Sequence, residues 1–246
     1  MIPLVLLHAF PLDATMYAEV GAAFDGPLLT PNLAGFGGTP LTVGEPSLDV
    51  YADQVVRELD AAGHDRVVLG GTSMGGYTAM ALCRRHPERV AGLALIDTKA
   101  TADAAEAAAG RRAMAQAMVD GATTDPLVEN VLPKLLGATT VATRPDVAER
   151  VRGWVSDADP AAAAWAQRAM AARSDALEVL REMHVPTLVV VGEEDVLSPP
   201  ADAGVMAAAL SDCELLLIPK VGHLTPVEAP AEVTAALQGL VRRVAG

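Results

Sequence analysis

Two cysteines in 246 residues, Cys83 and Cys213, leave this chain without a disulfide framework. No CxxC pair or Cys/His cluster is present to suggest a structural metal. Two buried free thiols are expected, Cys83 in a helical apolar pattern and Cys213 at the start of a strand, which fits a reducing compartment, the cytoplasm. Aromatic residues are scarce, at 3% against 51% hydrophobic residues overall, so an aliphatic core is expected. Positive charge is also in deficit. The net charge of -13 and the pI near 4.7 argue against a nucleic-acid partner or an anionic membrane surface. Acidity of this kind keeps a chain soluble and does not by itself identify a substrate. No run reaches the roughly 18 apolar residues of a membrane span. The apolar opening Met1-Ile2-Pro3-Leu4-Val5-Leu6-Leu7 lacks a basic n-region and a small-residue cleavage site, and reads as a buried strand.

What is present is an alternation. Apolar runs at 3–8, 28–32, 67–70, 90–97, 187–192 and 214–219 are continuous rather than alternating, as in a parallel sheet covered on both faces. Between them, Leu48, Tyr51, Ala52, Val55, Leu59 and Ala62 recur at helical spacing, with Ser47 as cap and Gly63 as stop. A second helix is expected from Met74 to about His86-Pro87, and the last over 231–244. From about residue 98 to 183 the rhythm breaks. This stretch is rich in Ala, Met and Arg, and helix starts recur at Asp125-Pro126, Arg144-Pro145 and Asp159-Pro160. About four helices inserted between two strands are expected. An insertion at a strand's carboxyl end sits over the crevice where α/β sheets bind ligands, so it reads as a cap on a core formed by 1–97 and 184–246.

The most informative segment is Val67-Val68-Leu69-Gly70-Gly71-Thr72-Ser73-Met74-Gly75-Gly76-Tyr77. A strand-like run enters Gly-x-Ser-x-Gly and a helical pattern follows at once, the setting of a nucleophile elbow. Ser73 then stands at a helix N-terminus, where amide groups favour developing negative charge. A serine hydroxyl needs a base, itself oriented by a third group. Of five histidines, His64 and His86 read as helix-end residues and His184 as structural. His223, in the loop after the last strand, is the candidate base, whereas His8 reads as a brace of the loop after the first strand. Asp195, following the buried run 187–192, is the candidate acid, with Glu193, Glu194 and Asp97 as alternatives. Backbone amides of Met74 and Phe10 are candidates for the oxyanion hole. Phe36, Trp154 and Trp165 are candidates to line the substrate pocket.

These residues carry a resemblance. His8-Ala9-Phe10-Pro11, Asn32-Leu33-Ala34-Gly35-Phe36-Gly37-Gly38-Thr39, the Gly-x-Ser-x-Gly-Gly of residues 71–76, the Gly-x-x-Asp of 192–195 and Gly222-His223 together resemble the small cap-bearing branch of the α/β-hydrolase superfamily, which includes esterases, enol-lactonases and cofactor-free haloperoxidases. Ala9 stands where the pattern has glycine and Asn32 where aspartate is common. The resemblance implies an α/β-hydrolase fold of about six mostly parallel strands with helices on both faces and an inserted helical cap, the amino-terminal hairpin being absent. It implies attack by Ser73, an acyl-enzyme and water activated by His223, with no metal and no organic cofactor. A small ester or lactone is the implied substrate. A perhydrolase or haloperoxidase using the same triad, and a ligand-binding module that retains it, are the competing readings.

Overall fold

Branched aliphatic runs set the centre of the molecule. The computed structural model describes residues 2–246 and lays six of these runs side by side. They are β1 (Leu4–Leu7), β2 (Leu28–Leu29), β3 (Val67–Thr72), β4 (Val90–Ile96), β5 (Thr187–Gly192) and β6 (Cys213–Ile218). The sheet order is β2-β1-β3-β4-β5-β6 and every pair is parallel. Parallel strands are joined by crossovers that cover both faces, and every residue of β1, β3, β4 and β5 is buried accordingly. β2 is shorter than its apolar run, and Pro31, just beyond it, has no N–H to extend a ladder. At the other edge, β6 leaves Leu215 and Leu217 each 47% exposed.

Before β4 come α1 (Ala18–Ala23), α2 (Leu48–Ala61) and α3 (Met74–Arg85). Ser47 Oγ accepts the Asp49 amide at 3.2 Å to start α2, and Gly63, at φ +74, follows its end. Between β4 and β5 the chain forms α4 (Ala105–Gly121), α5 (Asp125–Asn130), α6 (Ala138–Thr143), α7 (Pro145–Ser156), α8 (Pro160–Ala171) and α9 (Leu177–Glu182). That makes six helices where about four were expected, because α6 and α9 have only six residues each, too few to show a 3.6-residue repeat, and no proline start, unlike α5. The proline starts behave as expected: Asp159 accepts the Ala162 amide at 2.8 Å with Pro160 in the first turn of α8. α4 packs along α8, and both helices bury alanines, Ala108 and Ala115 on α4 and Ala162, Ala163, Ala166 and Ala169 on α8. After β5 come α10 (Pro200–Ala209), α11 (Thr225–Glu228) and α12 (Pro230–Ala245).

The inserted helices dock on the core at several points. Gly35, at φ +92, lies so close to α8 that a Cβ there would be 2.6 Å from that of Ala162. Trp165 packs at a tilt against Tyr51 of α2, 5.0 Å between ring centroids, and donates its indole N–H to the Gly44 carbonyl at 3.3 Å. Arg150 of α7 pairs with Glu19 of α1 at 3.0 Å. Cys83 is buried in α3, and burial pushes its thiol up to about 12. Cys213 is only half-buried, a departure from the expected pair of buried thiols, because it opens an edge strand. Among the described residues no helix is long and apolar enough to cross a membrane.

Candidate active site

β3 ends at Thr72 and α3 begins at Met74, so Ser73 alone makes the turn, at φ 54 and ψ −113. A non-glycine residue in that region is strained and persists only where its surroundings fix it. Here the Ser73 amide donates to the Ile96 carbonyl at 2.9 Å, and its own carbonyl accepts the Thr98 hydroxyl at 2.9 Å and the Tyr77 amide at 3.1 Å. Neither Gly71 nor Gly75 has positive φ; the need at both is space. A Cβ on Gly71 would lie 2.2 Å from Gly75 C, and one on Gly75 would lie 2.0 Å from the Leu7 carbonyl oxygen. The glycines let β1, β3 and α3 meet at one point.

Ser73 Oγ lies 2.8 Å from His223 Nε2, and His223 Nδ1 lies 2.8 Å from Asp195 Oδ2. Asp195 Oδ1 accepts the amides of Leu197 at 2.8 Å and Ser198 at 3.0 Å, which anchors the carboxylate from behind. With only donors around the carboxylate, Nδ1–H donates to it and Nε2 is left to accept the serine hydroxyl. Both His223 and Asp195 are buried. The three other acids weighed from the sequence go elsewhere. Glu193 accepts the Lys220 amide at 3.2 Å. Glu194 accepts the Thr139 hydroxyl at 2.5 Å and amide at 2.8 Å, bonds that hold its carboxyl below the usual range. Asp97 accepts the amide and hydroxyl of Thr225 at 2.8 and 2.7 Å and the Gly192 amide at 3.2 Å. Burial, together with the nearby charge of Asp195, pushes the Asp97 carboxyl well above the usual range.

The other histidines do not reach Ser73. His86 meets Asp53 at 3.3 Å and His184 meets Ser211 at 3.4 Å. His8 is fully buried; its Nδ1–H donates to the Ala9 carbonyl at 3.0 Å and its Nε2 accepts the Leu33 amide at 3.1 Å, tying the loop after β1 to the loop after β2. Burial lowers its pKa to about 4 from 6.5. The unfolded chain therefore takes up a proton near pH 6.5 that the folded protein refuses until about pH 4. The resulting stabilisation is complete above 6.5 and is lost as pH falls toward 4, a change of about 3 kcal/mol. Urea unfolding of wild type and His8→Asn at pH 7 and pH 4.5 should show a steeper acid loss in the wild type. Parallel losses in the two proteins would contradict this account of His8.

The amides of Phe10 and Met74 meet no protein acceptor among the described residues, so both donors are available. A cleft of about 640 Å³ runs between the loop around Leu12, the loop around Phe36 and the α7–α8 segment. Phe36 and Trp154 both line it, as do Asp13, Asp157 and Asp159, whereas Trp165 packs on Tyr51 instead. Ser73 and His223 lie outside its walls. Sequence reasoning passed over Glu228, which is buried behind the histidine loop. Its signal was a lone charge between apolar Val227 and Ala229.

Known proteins share this fold. The family described as alpha/beta hydrolase fold matches residues 2–230. The pimeloyl-[acyl-carrier protein] methyl ester esterase of Aromatoleum aromaticum is 29% identical over 251 residues, spanning 97% of this chain and 98% of that protein. A thermophilic esterase from Thermogutta terrifontis superposes with a TM-score of 0.94 at 35% identity, covering 99% of this chain and 90% of the other. The enol-lactonase of Burkholderia xenovorans shares the fold alone, with a TM-score of 0.88 at 24% identity over 98% of this chain and 92% of its own. With six parallel strands, helices around them and this match along most of its length, the chain belongs to the alpha/beta hydrolase fold family.

Proposed function

We propose that this protein is a serine hydrolase that cleaves a carboxylic ester or lactone of a small, largely apolar substrate through an acyl-enzyme. The unbroken chain of hydrogen bonds Ser73–His223–Asp195, at 2.8 Å per link on a strained elbow, carries the reading. His223 Nε2 takes the proton as Ser73 Oγ attacks the carbonyl, and Asp195 holds the ring in the required tautomer and faces the imidazolium that forms. The amides of Met74 and Phe10 receive the oxyanion. His223 then returns its proton to the leaving alcohol and activates water against the acyl-enzyme. These groups suffice without a metal or organic cofactor. The relatives named as esterases support ester chemistry, and the two free thiols lead us to assign the protein to the cytoplasm.

Residues 98–183 act as a cap over the core of 1–97 and 184–246, and the cleft between Phe36 and Trp154 is the proposed seat of the substrate's apolar part. The two tryptophans then separate. Trp154→Ala should shift the preferred acyl length, since one methylene in such a pocket discriminates by roughly 10- to 200-fold. Trp165→Ala should leave the profile in place and lower stability by about 3–5 kcal/mol, because it empties the contact with Tyr51. Activated esters graded by acyl length, assayed with and without peroxide, test both the tryptophans and the function. Failure of the folded protein to turn over any ester would overturn the hydrolase reading, and turnover only with peroxide would point to a perhydrolase.

A further inference from the structure

The histidine loop is held from below by three buried carboxylates. Glu228 Oε1 accepts the amides of Gly222 at 3.1 Å and Leu224 at 3.2 Å, the two residues flanking His223. Asp195 takes the His223 ring, and Asp97 takes the amide and hydroxyl of Thr225. Four successive residues thus donate to carboxylates from three different parts of the chain. Glu228 differs from the other two in one respect. Its second oxygen, Oε2, accepts the amide of Gly137 at 2.9 Å, at the start of α6 in the inserted segment. Arg144, which precedes α7, donates to the main-chain carbonyl of Glu228 at 2.5 Å. On the acid side, Glu194, next to Asp195, grips Thr139 of the same α6.

The backbones close this contact without side chains between them. A Cβ on Gly222 would stand 2.1 Å from the Gly137 nitrogen, and one on Gly192 would stand 2.1 Å from the Gly222 carbonyl oxygen. The start of α6, the base loop and the end of β5 are therefore stacked backbone on backbone. A shift of the inserted segment cannot be absorbed by a side chain and must pass to the loop that carries His223.

We propose that Glu228 is a positioning residue that couples the seating of the inserted segment to the placement of His223 against Ser73. One carboxylate bonds the segment through Oε2 and both neighbours of His223 through Oε1, so the segment and the base move together. The proposal rests on the serine-hydrolase reading and deepens it: the cap would contribute to turnover as well as to the choice of substrate. The charged groups around the loop are Asp195, Glu194 and Glu193 after β5, Lys220 at the start of the loop, Asp97 at the end of β4, Glu228 itself and the Arg144 guanidinium.

Glu228→Gln replaces one acceptor by an NH2 group that faces an amide donor, and removes a buried negative charge. Displacement of a catalytic group by about 1 Å costs on the order of 100-fold. With a short-chain activated ester, kcat should fall roughly 10- to 100-fold with KM changed less than about threefold. The acidic limb of the kcat/KM profile should move to lower pH, because the imidazolium loses a nearby anion. Arg144→Met loosens the same contact from the cap side with the Glu228 charge in place, so kcat should fall several-fold without that downward movement. Leu240→Ala, a buried truncation in α12, serves as the control for lost stability alone and should leave both readouts unchanged. A folded Glu228→Gln with wild-type kcat and limb overturns the proposal. Should that variant not fold, an Arg144→Met protein with wild-type kcat overturns it instead. If the wild type takes no fluorophosphonate label at Ser73, the hydrolase reading itself fails, a result distinct from either of these.

Discussion

Ser73→Ala should lose ester turnover almost completely, by on the order of 10⁶ in kcat, as when the nucleophile of a comparable triad is removed. The fold should be untouched. The serine hydroxyl bonds only His223, while the strained turn is held by backbone groups of Ser73 with Ile96, Thr98 and Tyr77, all of which alanine retains. A fluorophosphonate should label the wild type once and the variant not at all, with the thermal midpoint little changed. Labelling that persists in Ser73→Ala would move the nucleophile elsewhere.

The second large effect separates two buried acids at adjacent strand ends. Asp195→Asn would offer His223 Nδ1 an amide in place of an acceptor carboxylate. The ring could then adopt the tautomer with its proton on Nε2, which cannot take the serine proton. A rate loss on the order of 10⁴ is expected, as for the same change in a comparable triad. Asp97→Asn should cost far less, since Asp97 touches Thr225 and Gly192 and not the imidazole. Measuring kcat/KM for both variants on one activated ester decides between them. If Asp97→Asn were the crippling change, the orienting acid would act from β4 and the Asp195 assignment would fall.

The parts of this molecule written in short-range pattern could be read from the sequence. Runs such as 187–192 are apolar at every position, as a strand buried on both faces requires, and β5 occupies that run. The elbow was legible because the apolar run, Gly71, Ser73, Gly75 and the start of the helical pattern all lie within a dozen residues, even though the space Gly75 must leave is set by the distant Leu7 carbonyl of β1. The six-residue helices α6 and α9 were not legible, since a turn and a half carries no periodicity and neither has the proline start that marked α5. The support of the base loop was hidden for a different reason. Thr225 finds Asp97 across 128 residues and Glu228 finds Gly137 across 91, and nothing local in either partner announces the other. The sequence also treated the two tryptophans alike, whereas packing sends one to the cleft and the other to Tyr51.

The sheet order has a consequence for how the chain is made. β1 to β4 pair among themselves and are complete by Ile96, while β5, the partner of the far side of β4, begins only at Thr187. On a ribosome adding about 5–20 residues per second, the intervening stretch takes roughly 5–18 s to emerge. Throughout that interval the far edge of β4 has no strand to pair with, while the six inserted helices emerge beside it. Two of them, α4 and α8, are alanine-rich, and their local contacts suit fast folding. Nascent chains halted shortly before Thr187 should be more prone to capture by chaperones than chains released at full length, and shortening the insertion should narrow that window.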